Sequence, residues 1–181
     1  MWNREVVFSK ANSIQITPEP SSEDHIFWSG SSDVVVVEYY DIDCPYCRSL
    51  LLAEDGLADS VKAKVRLIYR WFPLIDIYPR SLERAIIAEC VSMVGGEENF
   101  FNFLRKVSNS YKKGEQKNDW LIEMARPFVS DEASFKECVS KELSLEKINQ
   151  SRAGGYVSGI FSVPSFLVAQ KGMPVKKFDL L

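Results

Sequence analysis

The longest apolar stretch of the sequence is Val-Val-Val-Val-Glu-Tyr-Tyr at 34–40, β-branched and aromatic except for Glu38. Such a run predicts a strand buried on both faces of a sheet. Residues 48–64 have helical spacing and good helix formers, and Val-Arg-Leu-Ile-Tyr-Arg-Trp-Phe at 65–72 returns to strand character until Pro73 stops it. This is strand, helix, strand, with a connection long enough for a parallel crossover. From Ser81 the pattern is helical for about seventy residues. Leu82, Ile86, Cys90 and Met93 share one face before Gly95-Gly96 ends the first helix. Residues 97–111, 118–129 and 130–149 read as three more helices, with Asp119 and Ser130 or Asp131 as N-caps. The stretch 163–181 reads as a hairpin turning at Lys171-Gly172. Residues 12–33, rich in Ser, Pro and acid, read as a lead-in outside the core, apart from a short strand around Ile14 and Ile16.

The 181 residues suit one domain, or one domain with an insertion, large enough to bury a core without staples. A net charge of -3 with interspersed signs provides no basic field, so nucleic acid and anionic membrane are not expected partners. The start, Met-Trp-Asn-Arg-Glu-Val-Val-Phe-Ser-Lys, lacks a basic segment leading into an apolar one, and no apolar run approaches membrane-spanning length. The expectation is a cytosolic protein or one whose targeting segment has been removed. Four cysteines, an even set, weakly favour an oxidising compartment.

Two of the four form Cys44-Pro45-Tyr46-Cys47, directly after the apolar strand. Pro45 suits the first helical position, where its missing N–H costs nothing, and this makes Cys44 the N-cap. Free N–H groups and the helix dipole there favour the thiolate, lowering a cysteine pKa from about 8.5 into roughly the 3.5–7.5 range. Cys47 falls one turn deeper on the same side, within disulfide reach. Redox chemistry needs this asymmetry: an exposed thiolate to attack and a shielded thiol to resolve. A structural zinc site would need a second ligand pair. Cys90 and Cys138 stand alone and the only histidine, His25, lies in the lead-in, so no metal is expected. Inert packing cysteines are the third possibility.

The stretch 24–50, with Asp-His, a strand carrying an acid and then the CXXC motif, resembles the opening of the DsbA-like thiol:disulfide oxidoreductases. Residues 72–91 resemble that family's strand-to-helix junction, and Gly-Ile-Phe-Ser-Val-Pro-Ser-Phe-Leu-Val at 159–168 its cis-proline loop. The resemblance implies an α/β thioredoxin fold with an inserted all-α helical domain, the thioredoxin-like part at 1–78 and 156–181 and the insertion at 79–155. It implies that Cys44 attacks, that Cys47 is its buried partner, and that Pro164 is a cis-proline. Val163, with Pro45 and Tyr46, would bind an extended substrate. Glu38, beneath the pair, would be the proton acceptor for Cys47, although a lone strand acid also suits a sheet edge. Asp41 and Asp43 would oppose the helix dipole, or Asp43 would point away without effect. Cys90 and Cys138 would form a structural disulfide, worth roughly 4 kcal/mol at best in the chain-entropy model; read from the residues alone, they are two buried thiols. Tyr46, Trp71, Phe72 and Phe161 suit either core or a substrate surface.

The implied function is donation of the Cys44–Cys47 disulfide to unfolded or reduced proteins in the periplasm or another extracytoplasmic space, with a membrane DsbB-like partner for reoxidation and no cofactor. The alternatives are a disulfide reductase or isomerase of the same fold, and a non-catalytic thioredoxin-fold binding module. Glutaredoxins share CPYC but are much smaller. The usual helix after the last hairpin is absent from the sequence, which predicts an uncovered apolar sheet face that invites dimerisation.

Overall fold

The computed structural model describes residues 14–30, 33–111 and 118–180. Five strands form one sheet in the order β1-β3-β2-β4-β5. β1 is His25–Ser29, β2 Val34–Tyr40, β3 Arg66–Trp71, β4 Ser165–Gln170 and β5 Lys176–Asp179. β2 and β3 run parallel, and every other neighbouring pair is antiparallel. The apolar run at 34–40 is therefore the middle strand, joined to β3 through α1 (Pro45–Asp55) and the short α2 (Asp59–Lys62). The sequence pattern predicts one helix over 48–64. Gly56 and the extended Ala58 divide it in two.

The lead-in reading of residues 12–33 is overturned. Ile14 and Ile16 form no strand, whereas His25–Ser29 pairs with β3 as a sheet strand. Short polar interruptions hide it, and its stability comes from β3 and from α4 behind it. Arg70 of β3 pins the segment before β1, donating twice to the Asp24 carboxylate at 2.7 and 3.0 Å and once to the Pro18 carbonyl at 2.8 Å.

The helical segment comprises α3 (Ser81–Gly95), α4 (Glu97–Ser110), α5 (Asn118–Ala125), α6 (Glu132–Ser140) and α7 (Leu145–Val157), with a 3-10 turn at Arg126–Phe128. Gly96, at φ 85°, turns the chain between α3 and α4. Asp131 caps α6 by accepting from the Ala133 and Ser134 amides. The predicted single helix at 130–149 is two, because the chain breaks around Glu142, which adopts φ 49°. Cys90 of α3 and Cys138 of α6 form a disulfide with Cα atoms 5.8 Å apart, closing a sequence separation of 48. α7 returns to the sheet at Gly155, where a Cβ would meet the Phe72 and Tyr39 rings at 2.8–2.9 Å. Among the described residues no helix is long and apolar enough to cross a membrane.

Candidate redox site

Cys44 is the N-cap of α1, with Pro45 in the first turn, and its carbonyl accepts from the Arg48 amide at 3.2 Å. Its thiol is not the exposed one expected. Cys44 is 3% exposed, because the loop after α7 lies over it and the sulfur donates to the Val163 carbonyl at 3.6 Å. The Val163–Pro164 peptide that follows this contact is cis. Pro45 and Tyr46 are exposed beside it; of the four candidate aromatics Tyr46 and Phe161 are exposed, at 67% and 71%, while Trp71 and Phe72 belong to the core.

Cys44 and Cys47 are not bonded to each other in this structure and differ in environment. A hydrogen bond from the Cys47 side chain, helped by the Cys47 and Tyr46 amides, outweighs burial and lowers the Cys44 pKa to about 7. Burial and the neighbouring Cys44 push the Cys47 thiol well above its ordinary value. The arrangement makes one sulfur a thiolate near neutrality and keeps the other protonated.

Glu38 is not at a sheet edge. It lies in the central strand, 0% exposed, opposite Tyr69 of β3 and Phe166 of β4. Neither of its oxygens meets hydrogen-bond geometry with a described residue, although the Glu54 and Tyr69 side chains lie beside it, and burial followed by the charge of Glu54 raises its pKa well above the carboxylate range. Tyr69 donates instead to the Glu54 carboxylate on α1. Burial raises Glu54 to about 7 against that bond. Sequence reasoning missed Glu54 and Tyr69. A signal was present for the first: Cys47, Leu51 and Glu54 are the buried positions of α1, at helical spacing, and the third is an acid.

The turn before Cys44 is tightly bound. Asp41 accepts from the Leu74 and Asp43 amides, both at 2.8 Å, and from the Ser81 hydroxyl at 2.7 Å. Burial nevertheless raises it to about 6, and its charge opposes the Cys44 thiolate as expected. Asp43 does not stand bare. It is ion-paired with Arg84 of α3 and accepts from the Tyr111 hydroxyl at 2.8 Å. The Cys90–Cys138 bond lies in the helical segment, separate from this pair, and removes both sulfurs from any metal-ligand set.

A thioredoxin family model matches residues 22–177. Among curated proteins, the Na(+)/H(+) antiporter NhaA 1 of Salinispora arenicola is 25% identical over 155 residues, covering 84% of this chain but only 22% of the antiporter. A second, NhaA 3 of Salinispora tropica, is 24% identical with the same coverage. The chain thus spans about a fifth of the length of these curated relatives. Among solved structures, a thioredoxin-like oxidoreductase from Silicibacter pomeroyi is 25% identical with TM-score 0.68, the match covering 87% of this chain and 86% of that one. DsbA2 of Pseudomonas aeruginosa has TM-score 0.68 at 18% identity, covering 88% and 87%. With the sheet order, the helical segment and the CXXC motif beside a cis-proline loop already described, these matches establish that the chain belongs to the thioredoxin family, with a fold similar to that of DsbA2.

Proposed function

We propose that this protein is a thiol:disulfide oxidoreductase that donates a Cys44–Cys47 disulfide to reduced proteins folding outside the cytoplasm. The observation that carries the reading is the contrast between the two thiols: Cys44 at a helix N-terminus lowered to about 7, Cys47 buried and raised.

In the oxidised pair, a substrate thiolate attacks the Cys44 sulfur, and the Cys44–Cys47 bond breaks as a mixed disulfide forms. Cys47 leaves as a buried thiolate and takes the proton of Glu38, whose raised pKa keeps it protonated for that step. A second substrate thiolate then attacks the substrate sulfur of the mixed disulfide. Cys44 departs as a thiolate, two electrons have passed to the protein, and the substrate holds a disulfide. Val163 and Pro164 hold the extended substrate as an added strand, the Val163 carbonyl exchanging its Cys44 contact for a substrate amide. Tyr46 and Pro45 form the other wall. Reoxidation falls to a membrane DsbB-like partner, and the Cys90–Cys138 bond supports an oxidising compartment such as the periplasm.

One observation favours the reverse direction. A Cys44 pKa of about 7 matches the thiolate of thioredoxin better than the roughly 3.5 of a strong oxidant. The test is equilibration of the Cys44–Cys47 pair with glutathione, followed by mass spectrometry of alkylated peptides. A potential near about -120 mV supports disulfide donation, and one near about -270 mV assigns a reductase. Cys44→Ser is expected to abolish exchange in both directions; unchanged exchange in that variant would leave only a binding module.

A further inference from the structure

Asp43 directly precedes the nucleophile and is buried, a position from which a bare carboxylate would oppose a thiolate. Its partners come from the helical segment. Arg84 of α3 pairs with Asp43 and also donates to the Tyr111 hydroxyl at 2.9 Å, while Tyr111, just past α4, donates to Asp43 at 2.8 Å. The same tyrosine ring carries the Arg48 guanidinium of α1, 3.5 Å from its centroid, and Arg48 in turn donates to the Ile42 carbonyl at 2.9 Å. Asn118, at the start of α5, accepts from Arg84 at 3.4 Å. The residue before Cys44 is thus held by two side chains across 41 and 68 positions of sequence. None of them touches the sulfurs' own contacts to Val163 and to each other.

We propose that Arg84 and Tyr111 are positioning residues for Cys44: they draw the Asp43 carboxylate toward the helices and balance its charge, so that the turn aims Cys44 at the cis-proline loop as a competent nucleophile. The proposal rests on the redox reading of the Cys44–Cys47 pair. It assigns the helical segment a part in setting reactivity, beyond covering the sheet. Loss of Arg84 frees a buried negative charge beside the nucleophile; loss of the Tyr111 hydroxyl removes one of its two donors. The other groups whose charge bears on Cys44 (Cys47, Asp41, Glu38 and Tyr78) are untouched by either change.

The test measures the alkylation rate of Cys44 against pH in the reduced full chain, with the modified peptide identified by mass spectrometry. Arg84→Met is expected to shift the pH midpoint upward by about one unit, slowing alkylation at pH 7 about ten-fold. Tyr111→Phe is expected to shift it the same way by less. Asp43→Asn added to Arg84→Met restores the wild-type midpoint, because the charge that needed balancing is gone. An Arg84 that matters only for packing would lower the melting temperature and leave the midpoint in place. Midpoints unmoved in Arg84→Met and Tyr111→Phe, or a double variant that fails to restore the midpoint, overturn the proposal. Should Arg84→Met not fold, Tyr111→Phe with and without Asp43→Asn decides by the same criteria. Failure of the redox reading looks different: wild-type Cys44 would titrate near the ordinary thiol value, or the pair would form no disulfide with glutathione.

Discussion

Two clusters of buried charge lie on either side of β3, and they are built on opposite terms. Under the cysteine pair, among the described residues, Glu38 has no well-formed hydrogen bond, no cation pairs with the acids, and burial raises Glu38, Glu54 and Asp41. Where β1 meets the helices, the groups satisfy one another. His25 bonds Glu89 at 2.6 Å and Glu97 at 2.9 Å, Lys147 pairs with Glu89, and Trp71 donates to Glu89 at 2.8 Å. Burial works to raise Glu89, but the charges and hydrogen bonds of His25 and Lys147 outweigh it and bring the pKa down to about 2. Against its own burial, which lowers it, His25 is raised by the charge and hydrogen bond of Glu89 and the hydrogen bond of Glu97. Two cations facing two anions make a joint between sheet and helices; under the cysteines the acids have no cation partner, a buried arrangement that costs stability and is kept where protons must move.

The sharpest way to break this contrast is at the joint. Glu89→Ala leaves His25, Lys147 and the Trp71 N–H without their shared acceptor, and is expected to cost about 3–5 kcal/mol in denaturant unfolding. The alkylation rate of Cys44 in the folded fraction should not change. A large loss of Cys44 reactivity without loss of stability would merge the two clusters into one functional unit. Next in size is the covalent tie within the helices. Replacing Cys90 and Cys138 by alanine is expected to cost about 2–4 kcal/mol, again leaving Cys44 reactivity unchanged. A destabilisation under about 0.5 kcal/mol would mean that the helices hold together without it.

The two clusters also differ in how far the sequence announced them. The CXXC motif, Glu38 in its apolar run and Pro164 all lie in or beside strands and a helix start whose local patterns are strong, so the site's skeleton was legible. The joint was not. His25 read as lead-in because its partners Glu89 and Lys147 lie 64 and 122 residues away, and each acid or base among them has the look of a solvated surface charge. Arg84 was hidden for the same reason. The break near Glu142 escaped because Lys141, Glu142 and Leu143 are all good helix formers. There the helix closes with a local cap, the Leu143 amide bonding the Cys138 carbonyl beyond the left-handed Glu142, and a tertiary contact fixes the break: Ser144 is buried with its hydroxyl donating to the Ile86 carbonyl at 3.5 Å.

A third change should run against the first two by stabilising. Glu38→Leu removes a buried carboxyl without partners and keeps similar volume, so stability is expected to rise by about 1–2 kcal/mol at pH 7 while exchange slows for want of a proton donor. The sign follows from linkage. The folded pKa of Glu38 is raised, so the folded chain binds the proton more tightly, and wild type loses stability as pH rises from about the ordinary 4.5 through the raised value. The pH-dependent part of the gain in Glu38→Leu should therefore vanish below pH 4.5, leaving only what the unpartnered neutral carboxyl costs. A destabilised Glu38→Leu would show that the carboxyl has partners that stabilise it.

The smallest effect is one of slope, and it separates the clusters by their pH windows. His25 is also raised in the folded state, so its contribution is complete below its ordinary 6.5 and is lost as pH climbs through the raised value. Glu89, lowered to about 2, contributes above its ordinary 4.5 and is lost only as pH falls toward 2. Between these limits the joint is insensitive to pH. The site is not, since Asp41 and Glu54 have folded pKa values of about 6 and 7, so wild-type stability falls across that interval because of the site. Unfolding free energies from pH 4.5 to 9 should show both losses. His25→Gln should flatten only the branch above 6.5, whereas Glu38→Leu should reduce the fall that begins at 4.5 and spare the His25 loss. If His25→Gln flattens the lower branch, then Glu38, Glu54 and Asp41 do not set it, and the division between an ion-paired joint and a site of unpaired buried acids fails.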